Sequence, residues 1–265
     1  MKTPISYYGG KQNLAVPILR LIPEHNLYCE PFIGGAAVFF AKNPSQIEVI
    51  NDTNRELINF YEVVKNDFAA LESKIRITLH SRSQHGDASH IYNRPQMFDR
   101  IQRAWAVWCL ASQCFSGILD GGWKYDVSKN INTKSIKNKC LSFSEDYAIR
   151  LQNVQIECTD AIRIIRSRDS ENSFFYCDPP YFNADMGHYD GYTLQDFQNL
   201  LDTLATLKGK FLLSSYRCPI LSQYVNAQGW HTHEIVQSIS ASINKPNSRK
   251  PKTEVLTANY PLIIE

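Results

Sequence analysis

Leu27-Tyr28-Cys29-Glu30-Pro31-Phe32-Ile33-Gly34-Gly35-Ala36 is the stretch on which the fold turns. Its first four residues read as a strand, Pro31 to Gly35 as a turn, and Ala36 to Ala41 as a short apolar helix, with a second strand at Ile47 to Asn51. Strand, glycine turn, helix and strand in that order open an α/β sheet. Arg55 to Asn66 extends the pattern, because Leu57, Ile58, Tyr61 and Val64 fall at helical spacing.

Beyond Asn66 the alternation stops. Helical patterns such as Met97 to Ser112 replace it, followed by a glycine-rich aromatic stretch, Phe115 to Tyr125, and a polar tract around Lys129 to Lys139. The α/β pattern returns with strand Val154 to Cys158, a helix from Ala161 to Arg166 and strand Phe174 to Cys177. Thr193, with Asp196 three positions on, marks a helix start whose buried face is Leu194, Phe197, Leu200, Leu201 and Leu204. Strand Lys210 to Ser214, a helix near Ile220 to Ala227, and strands near Thr232 to Ile235 and Glu254 to Asn259 complete the sheet. The expectation is one α/β domain from residues 1–66 and 151–265, interrupted by a small, mainly helical domain at 67–150.

Composition narrows the class. Hydrophobic residues at 43% and charged residues at 20% suit a globular chain with a sizeable core. The longest uncharged apolar run, Ala104 to Leu119, contains Ser112, Gln113 and Ser116 and is too short for a membrane span. The N-terminus lacks the apolar run of a signal peptide, so a cytoplasmic protein without membrane contact is expected. Seven cysteines, odd in number and never spaced Cys-x-x-Cys, read as reduced core residues. Neither His80, His85 and His90 nor His231 and His233 has a Cys or carboxylate at metal-ligand spacing, so no metal is expected. Net charge is +2, yet residues 67–150 hold twelve Lys/Arg against eight Asp/Glu, a bias toward a polyanionic partner or simply a solvated face. Lys245, Arg249, Lys250 and Lys252 form a sharper basic cluster among Pro246, Asn247, Ser248 and Pro251.

Five motifs carry chemistry. Strand Phe174 to Cys177 runs into Asp178-Pro179-Pro180-Tyr181, at the strand end where open α/β sheets bind ligands. Two prolines fix two φ angles and remove two N–H donors, so Asp178 and the following carbonyls are held as acceptors for an amino group, and Tyr181 offers a face for a flat base. A plain turn is the alternative. Glu30 to Ala36 places glycines where backbone can approach a ligand, and Glu30 disfavours a pyrophosphate while welcoming a cation. Asp52, at the tip of the second strand, sits where a ribose-diol partner stands, although Asp52 or Asn54 could equally cap the helix at Arg55. Asp160 follows a strand end and could bond an adenine amino group or cap a helix. Tyr7-Tyr8-Gly9-Gly10-Lys11 is a glycine turn with two aromatics and a cation able to pair with a carboxylate.

In this order the motifs resemble those of the Dam-type (D12 class) DNA adenine-N6 methyltransferases, over most of the chain outside the middle segment. The resemblance implies a Rossmann-like methyltransferase sheet with a reversed last strand and an inserted target-recognition domain. It further implies S-adenosylmethionine as cofactor, held by Tyr7, Lys11, Asp52 and Asp178 with Phe32, Gly34, Gly35 and Asp160 nearby. Asp178, Pro179, Pro180 and Tyr181 become the catalytic motif acting on an adenine flipped out of duplex DNA. Trp123, Lys124, Tyr125, Lys129 and Lys134, with Lys245, Arg249, Lys250 and Lys252, become the DNA contacts. The middle segment departs from the subgroup that reads GATC through a hairpin containing Asn-Val-Pro, so no target sequence is assigned. Methylation of cytosine N4 or of an RNA base, and a non-catalytic DNA-binding module on the same fold, stay open as alternatives. No obligate protein partner is expected, and a cognate restriction endonuclease is compatible with the reading.

Overall fold

The computed structural model describes residues 1–182, 191–237 and 252–263. Along the chain run α1 (Ala15–Arg20), β1 (Leu27–Glu30), α2 (Ala37–Ala41), β2 (Ile47–Asn51), α3 (Arg55–Asn66), α4 (Phe68–Arg76), α5 (Arg82–Asn93) and α6 (Arg100–Gln113). There follow α7 (Ile131–Ser142), α8 (Asp146–Leu151), β3 (Val154–Glu157), α9 (Ala161–Arg168), β4 (Ser173–Cys177), α10 (Leu194–Ala205), β5 (Lys210–Ser215), α11 (Pro219–Gln228), β6 (His231–Gln237) and β7 (Lys252–Ala258). This is a mixed α/β fold. Contacts divide it into two compact units, one of residues 1–19 and 33–159, the other of residues 20–32 and 160–265.

In the first unit β2 and β3 pair in parallel, Asn51 opposite Glu157, and the elements between them are helices, with one isolated antiparallel bridge of Cys114 to Trp123. The register is locked by the Asn51 side chain, which donates to the Thr159 carbonyl at 3.0 Å and accepts from the Thr159 N–H at 2.9 Å. α3 is amphipathic and buries Leu57, Ile58, Phe60, Tyr61, Val63 and Val64. It lies against α6, tied there by the Arg103–Glu56 ion pair at 2.6 Å and by Asn59 Nδ2, which donates to the Arg100 carbonyl at 2.9 Å. α6 begins at Arg100, later than its apolar pattern suggests, because Asp99 and Gln102 form a capping box there and Pro95–Met97 makes a separate turn. The polar tract around Lys129 to Lys139 is helical: α7 buries only Ile136 and Cys140, four residues apart, and two apolar positions in twelve are too few to announce a helix.

In the second unit the strands run in the order β1, β4, β5, β7, β6, the first three parallel and β7 antiparallel to both neighbours. That is the reversed strand the resemblance implied. β4 is buried at all five positions, as befits a parallel strand covered on both faces. α10 starts at the capping box of Thr193 and Asp196 and buries Phe197, Leu200, Leu201 and Leu204.

Candidate functional site

In the first unit the glycine turn after β1 and the end of β2 are knitted together. The Ile33 N–H donates to the Asn51 carbonyl at 2.8 Å, and the Gly34 N–H donates to Asp52 Oδ2 at 3.1 Å. Asp52 Oδ1 accepts from the Asn54 N–H at 2.9 Å. The cap of α3 is Asn54, whose side-chain oxygen accepts from the Glu56 and Leu57 N–H groups at 3.0 and 3.2 Å. Asp52 is therefore no helix cap. It is half-buried, and burial pushes its carboxyl above the ordinary value of 3.8 against the opposing pull of the Asn54, Gly34 and Thr53 N–H groups.

Tyr7 fills the space that the glycines leave. A Cβ on Gly35 would meet Tyr7 Cβ at 2.8 Å, and one on Gly34, which has φ +45°, would meet the Tyr7 ring at 3.3 Å. The paired glycines thus admit the tyrosine of the N-terminal motif against the loop. Tyr61 Oη donates to the Gly34 carbonyl at 2.7 Å and fixes the turn from its other side. Lys11 is 6% exposed, and its ammonium donates to the Gly9 carbonyl at 3.1 Å.

In the second unit, parallel pairing brings the carboxyl ends of β1, β4 and β5 to one edge. Glu30 ends β1, 2% exposed, and accepts from Tyr28 Oη at 2.5 Å. Asp178, half-buried, follows β4, with Pro179 buried behind it. Tyr181 Oη reaches Asp178 Oδ1 and Ser214 Oγ, each at 3.2 Å, and donates to Glu254 Oε1. Its ring meets Tyr216 edge to face at 4.4 Å between centroids. Burial holds the Tyr181 phenol well above its ordinary range, helped by the charges of Asp178 and Glu254, so it is a protonated donor. Tyr176 is buried, and burial with the charges of Asp178, Glu30 and Glu254 raises its phenol well above the ordinary range, while a hydrogen bond with Ser214 pulls the other way. Phe32 packs edge-on to Tyr192 at 6.4 Å. Asp160 is exposed and caps α9, accepting from the Arg163 N–H at 3.0 Å. Ser214 and Glu254 lie on β5 and β7, stretches that the sequence marks as strands without giving either side chain a chemical role.

The candidate DNA contacts of the middle segment sit in the first unit. Trp123 is half-buried, its Nε1 donating to Gln113 Oε1 at 3.1 Å, with the Arg82 guanidinium 4.6 Å from its ring and Tyr125 stacked at 5.7 Å. The loop closes through the Lys124 N–H, which donates to the Gln113 carbonyl at 2.9 Å. Tyr125 is 54% exposed, and Lys129 and Lys134 are exposed, the latter on α7. Lys124 is half-buried, and burial lowers its ammonium. Lys139 bonds Ser6 Oγ at 3.0 Å, and burial lowers it to about 8. Two of the histidines make packing contacts: His80 contacts Thr133 Oγ1 and the Lys124 carbonyl, each at 2.9 Å, and His85 contacts Cys114 Sγ at 3.2 Å. Five cysteines are buried, whereas Cys158 is exposed and Cys218 intermediate. Lys245, Arg249 and Lys250 lie outside the described residues, and only the backbone of Lys252 is described. No helix among the described residues is long and apolar enough to cross a membrane.

Comparison with known proteins gives a consistent picture. Residues 7–241 match the family described as D12 class N6 adenine-specific DNA methyltransferase. The Type II methyltransferase M1.LlaDCHI of Lactococcus lactis subsp. cremoris is 28% identical over 275 residues, spanning 95% of this chain and 93% of its own. The DNA adenine methylase of Serratia marcescens is 23% identical over 273 residues, spanning 97% of each chain.

Proposed function

The chain belongs to the D12 class N6 adenine-specific DNA methyltransferases, and from that premise we propose how its own residues divide the reaction. It is a site-specific DNA adenine-N6 methyltransferase. The observation that carries the assignment of roles is Asp178-Pro179-Pro180-Tyr181 at the carboxyl end of β4, with two further carboxylates, Glu30 and Glu254, buried in the same unit.

Membership implies S-adenosylmethionine as methyl donor, and its sulfonium supplies a methyl group that is already electrophilic. The residues fit such a ligand. Asp52 presents a half-buried carboxylate at the end of β2, suited to a diol; in the second unit the carboxylates Glu30 and Asp178 suit a guest that carries positive charge. We assign the ribose diol to Asp52, backbone contacts to Gly34 and Gly35, and flanking contacts to Tyr7, Lys11, Phe32 and Asp160. Asp178 completes the set.

Adenine N6 is inaccessible in a paired duplex, so the target base is flipped out at a cost of a few kcal/mol. The Tyr181 ring stacks on it, a contact worth about 1–3 kcal/mol. Asp178 and the Pro179 carbonyl accept the two amino hydrogens, which turns the nitrogen lone pair toward the methyl group and stabilises the positive charge that grows during attack. Residues 67–150 act as the recognition domain. Tyr125, Lys129 and Lys134 face the DNA, and Trp123 and Lys124 support them, with Lys245, Arg249, Lys250 and Lys252 gripping phosphates.

The test is product analysis. Unmethylated duplex DNA incubated with the protein and S-adenosylmethionine, then digested to nucleosides and examined by mass spectrometry, should yield N6-methyladenine. N4-methylcytosine, or no methylated nucleoside, would overturn the assignment.

A further inference from the structure

Within the first unit a chain of hydrogen bonds runs from α5 to the glycine turn. Tyr92, half-buried on α5, accepts from Asn54 Nδ2 at 2.9 Å. The Asn54 N–H donates to Asp52 Oδ1 at 2.9 Å, and Asp52 Oδ2 accepts from the Gly34 N–H at 3.1 Å. The direction of the first bond follows from the cap of α3. Asn54 Oδ1 is committed to the Glu56 and Leu57 N–H groups, so the amide turns its NH2 toward α5. Burial, with the charges of Asp120, Glu56 and Asp52 around it, raises the Tyr92 phenol above its ordinary 10 against the pull of Asn54, so it accepts as a neutral group. Its place is fixed from behind: α5 packs on α6, and α6 is tied to α3 by the Arg103–Glu56 pair at 2.6 Å.

We propose that Tyr92 is a positioning residue for the methyl donor: by gripping the Asn54 amide it steadies the backbone N–H that orients the Asp52 carboxylate toward the ribose diol. This rests on the assignment of the ribose diol to Asp52. Tyr92 acts through Asn54 and Asp52 and needs no contact of its own with the ligand. Asn54 can cap α3 without the phenol, but its side chain is then anchored on one side in place of two. A cap that rocks about its two N–H bonds carries its own backbone N–H with it, and the Asp52 oxygen bonded there follows. A helix of the segment assigned to DNA recognition thereby sets the affinity for the cofactor.

Tyr92→Phe removes the acceptor and keeps the ring. Its Kd for S-adenosylmethionine, measured by calorimetry, should rise about three- to tenfold, the loss of one neutral hydrogen bond. Turnover at saturating methyl donor and KM for duplex DNA should change less than about twofold. Asn54→Ser, which keeps a capping oxygen but offers α5 no amide, should match it, and the two substitutions together should bind no more weakly than either alone. Action through Asp52 leaves a mark that loosened packing would not: in the Asp52→Asn background, Tyr92→Phe should cost less than about twofold in Kd. Where Asp52→Asn binds too weakly to measure, the Tyr92→Phe and Asn54→Ser pair decides. An unchanged Kd in Tyr92→Phe, equal losses in both Asp52 backgrounds, or additive losses in the pair overturns the inference and leaves the ribose assignment standing. A folded Asp52→Asn variant that binds as tightly as the wild type overturns the ribose assignment and the inference with it.

Discussion

Asparagine at position 52 would keep the size of the aspartate while exchanging one acceptor oxygen for a donor. Both oxygens are in use: Oδ2 holds the Gly34 N–H at 3.1 Å and Oδ1 the Asn54 N–H at 2.9 Å. In Asp52→Asn one of these N–H groups faces an NH2, and a partly buried donor left without an acceptor costs about 1–3 kcal/mol of stability. The α3 helix should survive, because its cap is Asn54. Affinity for S-adenosylmethionine should suffer separately. Losing the charge-assisted part of a diol contact is worth roughly 1.5–3 kcal/mol, which is about ten- to hundredfold in Kd. The pH dependence carries a sign that can be checked. Burial raises the Asp52 pKa, so the folded protein protonates it more readily than the unfolded chain does. Its own contribution to stability is full below the unfolded value and is lost as pH rises through the folded one. Ligand affinity runs the other way, falling as pH is lowered through the raised pKa, from a higher pH than an ordinary aspartate would show, and Asp52→Asn should be flat in that window. Calorimetric titration with S-adenosylmethionine across that range, alongside a thermal melt and a gel shift on duplex DNA, measures all three. A folded variant that binds S-adenosylmethionine as the wild type does would refute the role and leave Asp52 a staple between two loops.

Asp178→Ala should abolish methyl transfer, measured with tritiated methyl donor, while melting at nearly the wild-type temperature, because the half-buried carboxylate is asked to stabilise charge and not to pack. Glu48 is 4% exposed and accepts from Arg150 at 2.5 and 2.8 Å and from Lys42 at 2.6 Å. Burial pushes its carboxyl up and the two cations overrule that, leaving it below the ordinary 4.5, so its stabilising contribution is present above the unfolded pKa and lost as pH falls through the folded one. Arg150→Ala should accordingly cost about 3–5 kcal/mol in denaturant unfolding near neutral pH; a loss below about 1 kcal/mol would mean that Lys42 alone satisfies the site. Replacing both Lys129 and Lys134 with alanine should weaken binding to all DNA sequences alike and flatten the salt dependence by about one unit of slope for each phosphate no longer neutralised, without moving the methylated site.

Local patterns were enough for much of the frame. β1 and β2 have the bounds expected from Leu27–Glu30 and Ile47–Asn51, and α3 from its apolar spacing, because a strand leading into a glycine turn or a cap is specified within a few neighbouring residues. The motifs at Tyr7–Lys11, Glu30–Ala36, Asp52 and Asp178–Tyr181 were legible for the same reason. What is not local stayed hidden. Asp52 and Asn54 are both competent caps, and only the position of the Gly34 N–H, set by the loop after β1, decides that Asn54 caps and Asp52 does not. α7 is polar because it buries just Ile136 and Cys140. Trp123 reads as an aromatic on a glycine-rich loop, yet Gln113 and Arg82 hold it half-buried as a support. That Tyr181 meets Glu254 depends on the register of β7 against β5, which brings the glutamate to a tyrosine 73 residues earlier in the chain. Sequence determines which donors and acceptors exist; the tertiary structure decides which pairs meet, because hydrogen-bond strength falls off within a fraction of an ångström and only packing sets distances that finely.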